Sequence, residues 1–365
     1  MGQKEDISKK YLVALTSYTQ FGPVRTKLLT QYFGGAKNAW NATFQKLAEV
    51  GLREKTIKSF LEYRDGFDFE RYFNRLNDYG IDFVTINDED YPENLKGLED
   101  APQVLYVRGA LSKNDCNAVA IVGSRKMTSY GREVTEKLAM ELASVGITIV
   151  SGLAFGVDLA AHKSVLEVNG RCIAVLASGV DVITPRSNEW LGLKIIKTGG
   201  AIVSEFPPGV EAQRHFFPFR NRIISGLSKA VIVVEGMIKS GTIHTAKHAA
   251  NQGRTVFAVP GQIFSPMSAA PNYLIKNGAK MITSSQDILE ELDLQLRVDK
   301  EAVEKILPND GLEEKLIEIL EREPLHLDEI GRISGLKVSE VSGKLTVMEL
   351  KGMIKNIGNG VYKKI

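Results

Sequence analysis

The sequence has little cysteine, no long apolar run and almost no net charge. Its 365 residues include only 2 cysteines, Cys116 and Cys172, which excludes the disulfide framework of small secreted domains and favours a reducing compartment. No apolar run approaches the roughly 18 residues that a membrane-spanning helix needs. Residues 1–10 are polar and contain no apolar core of a signal peptide. We therefore expect a cytoplasmic globular protein with two or three domains.

The formal net charge of +2 argues at first against a strongly basic nucleic-acid-binding protein. The charge is unevenly distributed, however. Residues 106–292 contain 20 Lys+Arg and 14 Asp+Glu, a net charge of +6, whereas residues 1–105 carry −2 and residues 293–308 and 309–365 carry −1 each. Because a protein's field acts through the surface that faces its ligand, the sequence predicts an anionic partner for the middle segment.

This middle segment alternates short apolar runs with segments of helical length. The runs are rich in Val, Ile and Ala and lie at Ala118–Val122, Ile147–Val150, Cys172–Leu176, Ala201–Val203, Ala230–Val234 and Thr255–Val259. Continuous apolar strands that alternate with helices are typical of a parallel sheet buried on both faces. We expect an α/β fold whose core, over residues 81–292, is a Rossmann-like open parallel sheet.

The flanking segments differ from this core. Residues 1–80 contain short amphipathic stretches separated by glycine-bearing turns such as Gly34-Gly35, an arrangement typical of small helical hairpin folds. Residues 293–308 are charged and are expected to form a linker. Residues 309–365 read as three helices followed by a hairpin at Gly358-Asn359-Gly360. That order predicts a winged-helix domain.

Small polar residues follow several of the predicted strands. Gly123-Ser124-Arg125, Ser151-Gly152 and Ser240-Gly241-Thr242 all come just after apolar runs, and the carboxyl ends of parallel strands are where ligands bind in open sheets. Small residues let backbone N–H groups approach an anion, and the guanidinium of Arg125 suits phosphate. Tight turns alone would explain one such segment, but three at one edge predict an anion-binding site.

The segment His215–Arg222 is the most unusual in the chain, since three Phe residues alternate there with Pro and Arg. Aromatic rings beside cationic groups are how proteins hold single-stranded nucleic acid without reading its sequence. Some of these rings are also expected in the core. Acidic partners for the two arginines are scarce nearby in the sequence, and neighbouring strand-end loops extend the surface. The resulting candidate residues are Phe155, Arg186, Phe219, Arg220, Asn221 and Arg222.

Catalytic and cofactor motifs are missing. His244 and His248 stand four residues apart, but the zinc-protease Glu between them and a third ligand are lacking. Asp158 and His162 have the same spacing and are expected to form a helix hydrogen bond. Neither a G-x-x-x-x-G-K-[ST] loop nor a G-x-G-x-x-G fingerprint after the first strand is present. We therefore predict no catalytic residue, no metal and no cofactor.

The order of the motifs along the chain resembles that of a known family. They are Tyr91-Pro92, Gly123-Ser124-Arg125, Ser151-Gly152-Leu153-Ala154, Gly156-Val157-Asp158, Ala161-His162, Ser204-Glu205, Phe217-Pro218, Arg220-Asn221-Arg222, Ser240-Gly241-Thr242, Thr245-Ala246 and Pro260-Gly261. This series resembles the DprA/Smf family of DNA-processing proteins of natural transformation. The resemblance covers residues 106–292, and the flanking segments also fit it.

The resemblance implies a Rossmann-like core that binds single-stranded DNA, forms a homodimer and helps load the RecA recombinase onto DNA covered by single-strand-binding protein, without catalytic turnover. It implies phosphate binding by Arg125, by Arg186 after Pro185, and by Arg220-Asn221-Arg222. Residues 1–80 are similar to a SAM-like or helix-hairpin-helix module. Residues 309–365 are similar to the winged-helix (DML1-like) domain of many members.

Two other functions are weighed against this one. A nucleotide-phosphoribohydrolase-like or nucleotide-sensing protein would share the phosphate pocket, but its catalytic Glu has no counterpart in Lys239–Ala246. A duplex-binding transcription factor would use the predicted recognition helix Lys337–Leu350, which carries two Lys against two Glu. Because a duplex reader is expected to have a basic helix face, this balance favours a protein contact or a regulatory role.

Overall fold

The computed structural model describes residues 2–292, 311–321, 323–350, 353–358 and 360–364. The chain divides into two compact units, Met1–Leu296 and Arg297–Ile365. The predicted linker, residues 293–308, lies outside the described residues. Among the helices described, none is long and apolar enough to cross a membrane.

The first unit begins with six helices, and side-chain caps begin two of them. The Thr43 hydroxyl accepts a hydrogen bond from the Lys46 amide, and the Asp68 carboxylate accepts one from the Arg71 amide. Leu29, Leu47, Ile57 and Phe60 are fully buried between these helices, among many aromatic rings. The helices are α1 (Gly2–Ser17), α2 (Pro23–Tyr32), α3 (Ala36–Trp40), α4 (Phe44–Glu49), α5 (Glu54–Asp65) and α6 (Phe69–Asp78).

A nine-stranded sheet follows, ordered β1-β2-β6-β5-β4-β3-β7-β8-β9. Strand β2 is antiparallel to β1 and β6, and the other neighbouring strands are parallel. Its strands are β1 (Asp82–Thr85), β2 (Val104–Gly109), β3 (Val119–Val122), β4 (Ile149–Ser151), β5 (Cys172–Val175), β6 (Ala201–Ser204), β7 (Ala230–Val233), β8 (Thr255–Ala258) and β9 (Lys280–Met281).

Helices cover both faces of this sheet. Alternate residues of β3 belong to different hydrophobic clusters, Val119 and Ile121 to one, Ala120 and Val122 to the other, as expected for a strand buried on both faces. The predicted Rossmann-like core is therefore confirmed. The helices are α7 (Glu93–Lys96), α8 (Ser129–Ser144), α9 (Val157–Glu167), α10 (Glu189–Lys197), α11 (Phe216–Gly226), α12 (Gly241–Asn251), α13 (Ala269–Lys276) and α14 (Ser285–Glu291).

The second unit has the predicted winged-helix order. Its elements are α15 (Gly311–Leu320), β10 (Leu325–His326), α16 (Leu327–Ser334), α17 (Val338–Leu350), β11 (Ile354–Asn356) and β12 (Val361–Lys364), and its strands form an antiparallel sheet ordered β10-β12-β11. Gly335, at φ +74°, ends α16 in the left-handed region that favours glycine. Leu316, Ile330, Val341 and Leu345 are fully buried in its own core.

Candidate functional site

The order of the strands reverses beside β3. The chain proceeds from β3 through β4 and β5 to β6 on one side, and then returns to place β7, β8 and β9 on the other. Loops after β3 and β7 therefore diverge to leave a crevice, which is the usual ligand position in such sheets. A cavity of about 410 Å³ lies in this crevice, and we call it the strand-end pocket. Its polar and aromatic lining comprises Ser124, Arg125, Lys126, Asp158, Phe217, Arg220, Asn221, Ser240, Gly241 and Thr242.

Close backbone packing holds the loop after β3. A Cβ atom on Gly123 would lie 2.5 Å from Cγ2 of Val157, and one on Gly156 would lie 2.1 Å from the carbonyl oxygen of Ser124. Gly156 also has a φ of +78°, which favours glycine. The Val157 amide donates to the Ser124 carbonyl over 3.2 Å. These contacts fix the loop against the start of α9 and leave the next side chain, Arg125, exposed at the rim.

Arg125 and Lys126 are the exposed cations among the described residues that line the pocket, and Arg125 lies against an aromatic ring. Its guanidinium carbon lies 4.9 Å from the ring centroid of Phe217, within the range of a cation–π interaction. Its side chain makes no salt bridge with any acidic residue that the structure describes. An orienting aromatic contact without a neutralising carboxylate leaves the charge available to an anionic ligand.

Arg220 is another cation of the pocket, but it is only 6% exposed. Its Nη1 donates to the Val175 carbonyl over 2.6 Å and its Nε to Oδ1 of Asn221 over 3.2 Å. Its guanidinium carbon is 5.8 Å from the Phe217 centroid. Burial lowers the pKa of Arg220, and the nearby Asp158 carboxylate opposes that effect. The structure thus fixes this guanidinium as part of the pocket wall.

Gly152 allows Arg220 and Asp158 to lie close together. A Cβ atom at this position would stand 2.3 Å from Nη1 of Arg220 and 2.4 Å from Oδ2 of Asp158. The same Oδ2 accepts a hydrogen bond from the Ala154 amide over 3.3 Å. Burial raises the pKa of Asp158, whereas Arg220 acts to lower it. The Asp158 carboxylate therefore interacts with the Ala154 amide and with the charge of Arg220.

Ser151 and His162 lie behind the pocket. Ser151 is fully buried and its hydroxyl donates to the Ile121 carbonyl over 2.6 Å, so the expectation that it faces an anion is corrected. The Nε2 atom of His162 lies 2.8 Å from the Gly152 carbonyl; the predicted bond between His162 and Asp158 is thus replaced by a backbone contact. Burial lowers the pKa of His162 to about 4, so the ring is neutral near pH 7.

The N-terminus of α12 forms another wall. Ser240 is its N-cap and has no side-chain capping bond, and the Ser240 hydroxyl has no hydrogen-bond partner among the described residues. The unpaired N–H groups of a first helical turn and the helix dipole both favour an anion. The predicted Ser240-Gly241-Thr242 segment therefore lines the same pocket as Arg125.

Arg222 does not reach this pocket. It is 2% exposed, forms an ion pair with Glu205, and its Nε lies 3.5 Å from Oδ2 of Asp100. The expectation that acidic partners are scarce is therefore wrong for Arg222. The reason is that the partners come from distant parts of the chain, while two residues along a helix correspond to a rotation of about 200°, which turns Arg222 away from Arg220.

The three Phe residues of α11 are also separated by the helix. Phe216 is buried and stacks on Phe206 with centroids 4.2 Å apart, so it is a core anchor. Phe219 is 52% exposed but lines another groove. The ring in the strand-end pocket is Phe217, which is not among the site residues predicted from the sequence. The signal for it was the helical spacing of Phe217, Arg220, Asn221 and Ile224, all of which line the pocket.

A smaller cavity of about 90 Å³ adjoins the strand-end pocket and shares Arg125, Phe217 and Arg220 with it. Phe155, 49% exposed, lines this cavity, so it lies beside the two arginines as expected. Arg186 is exposed directly after Pro185, another lining residue. No group of three or more His, Cys, Asp or Glu side chains suited to a metal ion occurs among the described residues.

Family comparisons agree with the motif order. The family model for DNA recombination-mediator protein A matches residues 82–293, and the model for the DprA winged helix domain matches residues 300–360. Protein Smf of Synechocystis is 35% identical over 94% of this chain and 96% of its own length. DNA processing protein DprA of Bacillus subtilis is 45% identical over 62% of this chain and 78% of its own length.

Two solved structures share the fold with appreciable sequence identity. DNA processing protein A of Streptococcus pneumoniae aligns over 78% of this chain and 99% of its own, with a TM-score of 0.67 and 32% identity. DNA processing protein A of Helicobacter pylori, described for its single-stranded DNA binding mode, aligns over 59% of this chain and 97% of its own, with a TM-score of 0.52 and 30% identity.

Proposed function

The chain belongs to the DNA recombination-mediator protein A family, also called DprA/Smf, and we propose that it binds single-stranded DNA in the strand-end pocket. The matched family segment, residues 82–293, contains every residue that lines this pocket. The relative from Helicobacter pylori is a protein with a single-stranded DNA binding mode. The family and the chemistry of the pocket therefore support the same ligand.

The observation that carries the proposal is the position of Arg125. This exposed guanidinium lies over the Phe217 ring and beside the N-terminus of α12. Phosphates would meet a cation and unpaired N–H groups there, while a base could stack on an aromatic face. Since these contacts involve the backbone and base faces, the pocket would hold single strands with little dependence on sequence.

We further propose that the pocket binds without catalytic turnover. Asp158 is the carboxylate among the lining residues that the structure describes, and it is occupied by the Ala154 amide and the neighbouring Arg220 guanidinium. A phosphoribohydrolase-like enzyme needs a carboxylate free to act on the nucleotide. Release of a free base from a nucleoside monophosphate by the purified protein would contradict this part of the proposal.

The Arg125→Ala variant tests the binding site. We expect about tenfold weaker binding to an oligo-dT, and a salt dependence reduced by about one unit of slope, because one phosphate contact is lost. Fluorescence anisotropy over a range of salt concentrations measures both. Arg132→Ala is the matched control, since Arg132 is exposed on α8 outside the pocket. Unchanged binding by Arg125→Ala would show that the site is assigned wrongly.

The proposed biological role is that of a recombination mediator in the cytoplasm. By family resemblance, the protein would load RecA recombinase onto incoming single-stranded DNA covered by single-strand-binding protein during natural transformation. The expected result is that the protein stimulates RecA-dependent ATP hydrolysis on such covered DNA and that Arg125→Ala does so less. Equal stimulation by both proteins would separate RecA loading from the pocket.

We also propose a homodimer formed through the Rossmann-like core. Ile263 and Phe264 are 83% and 92% exposed, and Met237 and Ile238 are each 53% exposed. Their two loops are joined by a hydrogen bond of 2.6 Å from the Gly236 amide to the Met267 carbonyl. An exposed apolar patch of this kind is typical of a protein contact. Light scattering should detect a dimer that Phe264→Asp converts to a monomer; a monomeric parent protein would refute this surface.

A further inference from the structure

A separate cavity lies on the other side of α11, between this helix and the N-terminal helices. It measures about 250 Å³ and belongs to the same compact unit as the strand-end pocket. We call it the helical-domain groove. Its lining includes Thr26, Gln103, Glu205, His215, Phe216 and Phe219.

The groove offers an exposed aromatic face. Phe219 is 52% exposed, although a ring of this size is normally buried. His215 is exposed beside it, and its ring centroid lies 4.4 Å from that of Phe216. Phe216 in turn stacks on Phe206, which gives the groove a rigid aromatic floor. Such a surface suits a flat heterocycle, because stacking of a base on an aromatic ring contributes about 1–3 kcal/mol.

The groove also contains polar groups without partners. Thr26 is fully buried, and its hydroxyl has no hydrogen-bond partner among the described residues. The Oε1 atom of Glu205 is likewise buried and without a hydrogen-bond partner among the described residues. Its Oε2 atom forms an ion pair with Arg222. Buried polar atoms are rarely left unpaired, so an unpaired one calls for an explanation such as a bound group. A carboxylate oxygen calls for an N–H donor, such as the exocyclic amine of cytosine.

The first turn of α11 separates the groove from the strand-end pocket. Phe216 and Phe219 line the groove, whereas Phe217 and Arg220 line the pocket. These four residues span about 6 Å along the helix at 1.5 Å per residue. Arg214 is exposed just before the helix. A strand that leaves the pocket can therefore cross the start of α11 and enter the groove.

A neighbouring cavity contributes positive charge. This cavity, of about 510 Å³, shares Gln103 with the groove and is lined by Lys27 and Lys96. Neither lysine makes a salt bridge with an acidic residue in the described part of the chain. Lysines that line an adjoining cavity match the phosphates of a continuing strand.

We propose that the helical-domain groove binds one unpaired nucleobase with an exocyclic amine, with cytosine as the test case, from the strand whose phosphates occupy the strand-end pocket. The base stacks on Phe219, and its amine donates to Glu205. This inference rests on the proposed function and extends it by giving a preference for oligo-dC over oligo-dT. A free nucleotide has the same base, so the experiment also separates a strand from a mononucleotide.

The test compares three oligonucleotides of equal length, oligo-dC, oligo-dT and an abasic strand, by fluorescence anisotropy. The parent protein should bind oligo-dC more tightly than oligo-dT. Phe219→Ala should weaken oligo-dC binding about tenfold and leave the abasic strand unaffected. Thr26→Val, which keeps the shape of the side chain, should reduce the difference in affinity between oligo-dC and oligo-dT. Tyr79→Ala is the matched control, since Tyr79 is 54% exposed and does not line the groove.

Several outcomes would overturn the inference. It would be overturned if Phe219→Ala and Thr26→Val bound oligo-dC with the affinity of the parent protein. It would also be overturned if Phe219→Ala lost as much affinity for the abasic strand as for oligo-dC. Competition by free deoxycytidine monophosphate as strong as that by oligo-dC would assign the groove to mononucleotides instead. If Arg125→Ala weakens the binding of all three strands while Phe219→Ala weakens the binding of none, only this inference fails. If Arg125→Ala changes none, the proposed function fails.

Discussion

The strand-end pocket and helix α17 of the winged-helix unit differ both in the balance of their charges and in how those charges are paired. In the pocket, Arg125 is exposed and lies over an aromatic ring. In the second unit, Nζ of Lys344 on α17 lies 3.2 Å from Oε1 of Glu313, a side chain that is only 1% exposed. One cation is presented to solvent and the other is used to stabilise the fold. The comparison shows that pairing, as well as the balance of charges, determines which surface can attract a phosphate.

The exposed side of α17 reinforces the difference. Glu340 and Glu349 are exposed there, and Oε1 of Glu349 accepts a hydrogen bond of 2.8 Å from the Asn356 amide. A helix that enters the major groove needs cationic side chains directed at phosphates. We therefore favour a protein contact or a regulatory role for the winged-helix unit, and the proposed DNA binding is a property of the core.

The largest expected effect comes from breaking the pocket wall. Arg220→Met should lower the free energy of unfolding by about 3 kcal/mol, because Asp158 would remain buried without its neighbouring cation. Urea denaturation measures this loss. The double variant Arg220→Met/Asp158→Asn should recover part of it, since no buried charge remains. A double variant as unstable as the single one would indicate that the two side chains do not stabilise each other.

The next effect is a pH dependence confined to the core. The pKa of His162 is about 4 in the folded protein against an ordinary value of 6.5, so the unfolded chain takes up the proton first as the pH falls. This contribution to stability is present above pH 6.5 and is lost toward pH 4.

When the pH falls from 7.5 to 5, the protonation of His162 in the unfolded chain should therefore lower the free energy of unfolding by about 2 kcal/mol. Urea denaturation of the parent and of His162→Gln at both pH values isolates this contribution as the difference between them. His326→Asn, in the other unit, is the control and should behave as the parent in the core transition. Identical pH dependence of His162→Gln and the parent would contradict the assignment.

A smaller effect is expected in the winged-helix unit. Lys344→Met should destabilise this unit by about 1 kcal/mol, because Glu313 loses a cationic partner at a largely buried position. Hydrogen exchange of peptides from residues 311–364 should report the loss, and binding to oligo-dT should not change. A fall in oligo-dT affinity comparable with that of Arg125→Ala would remove the distinction between the two regions.

The smallest effect is expected on removing the second unit altogether. Deletion of residues 297–365 should change the affinity for oligo-dT by less than about twofold, since the core forms its own compact unit. An electrophoretic comparison of single-stranded and duplex DNA, with the full chain and the deletion, measures this. Loss of a discrete duplex complex on deletion would instead support groove binding by α17.

The fold followed from the sequence more readily than the site. Apolar runs such as Ile147–Val150 alternate with amphipathic segments, and burial of strands on both faces leaves such a pattern in any sequence. Glycines after the strands marked the loops around the pocket for the same local reason. The roles of Ser151 and Arg222 did not follow, because their partners, Ile121 and Glu205, are 30 and 17 residues away. Contacts over that distance are decided by how the helices and strands pack.

The sequence by itself therefore determined the class of fold, the order of the domains, the family and the basic middle segment, since these depend on local periodicity, local charge and motif order. Only the tertiary structure decided which of Arg125, Arg220 and Arg222 remains available to a ligand, and which Phe ring of α11 faces the pocket. The physical reason is that availability depends on burial and on ion pairs with distant residues. Those are properties of the packed chain, while the periodic pattern is a property of each segment alone.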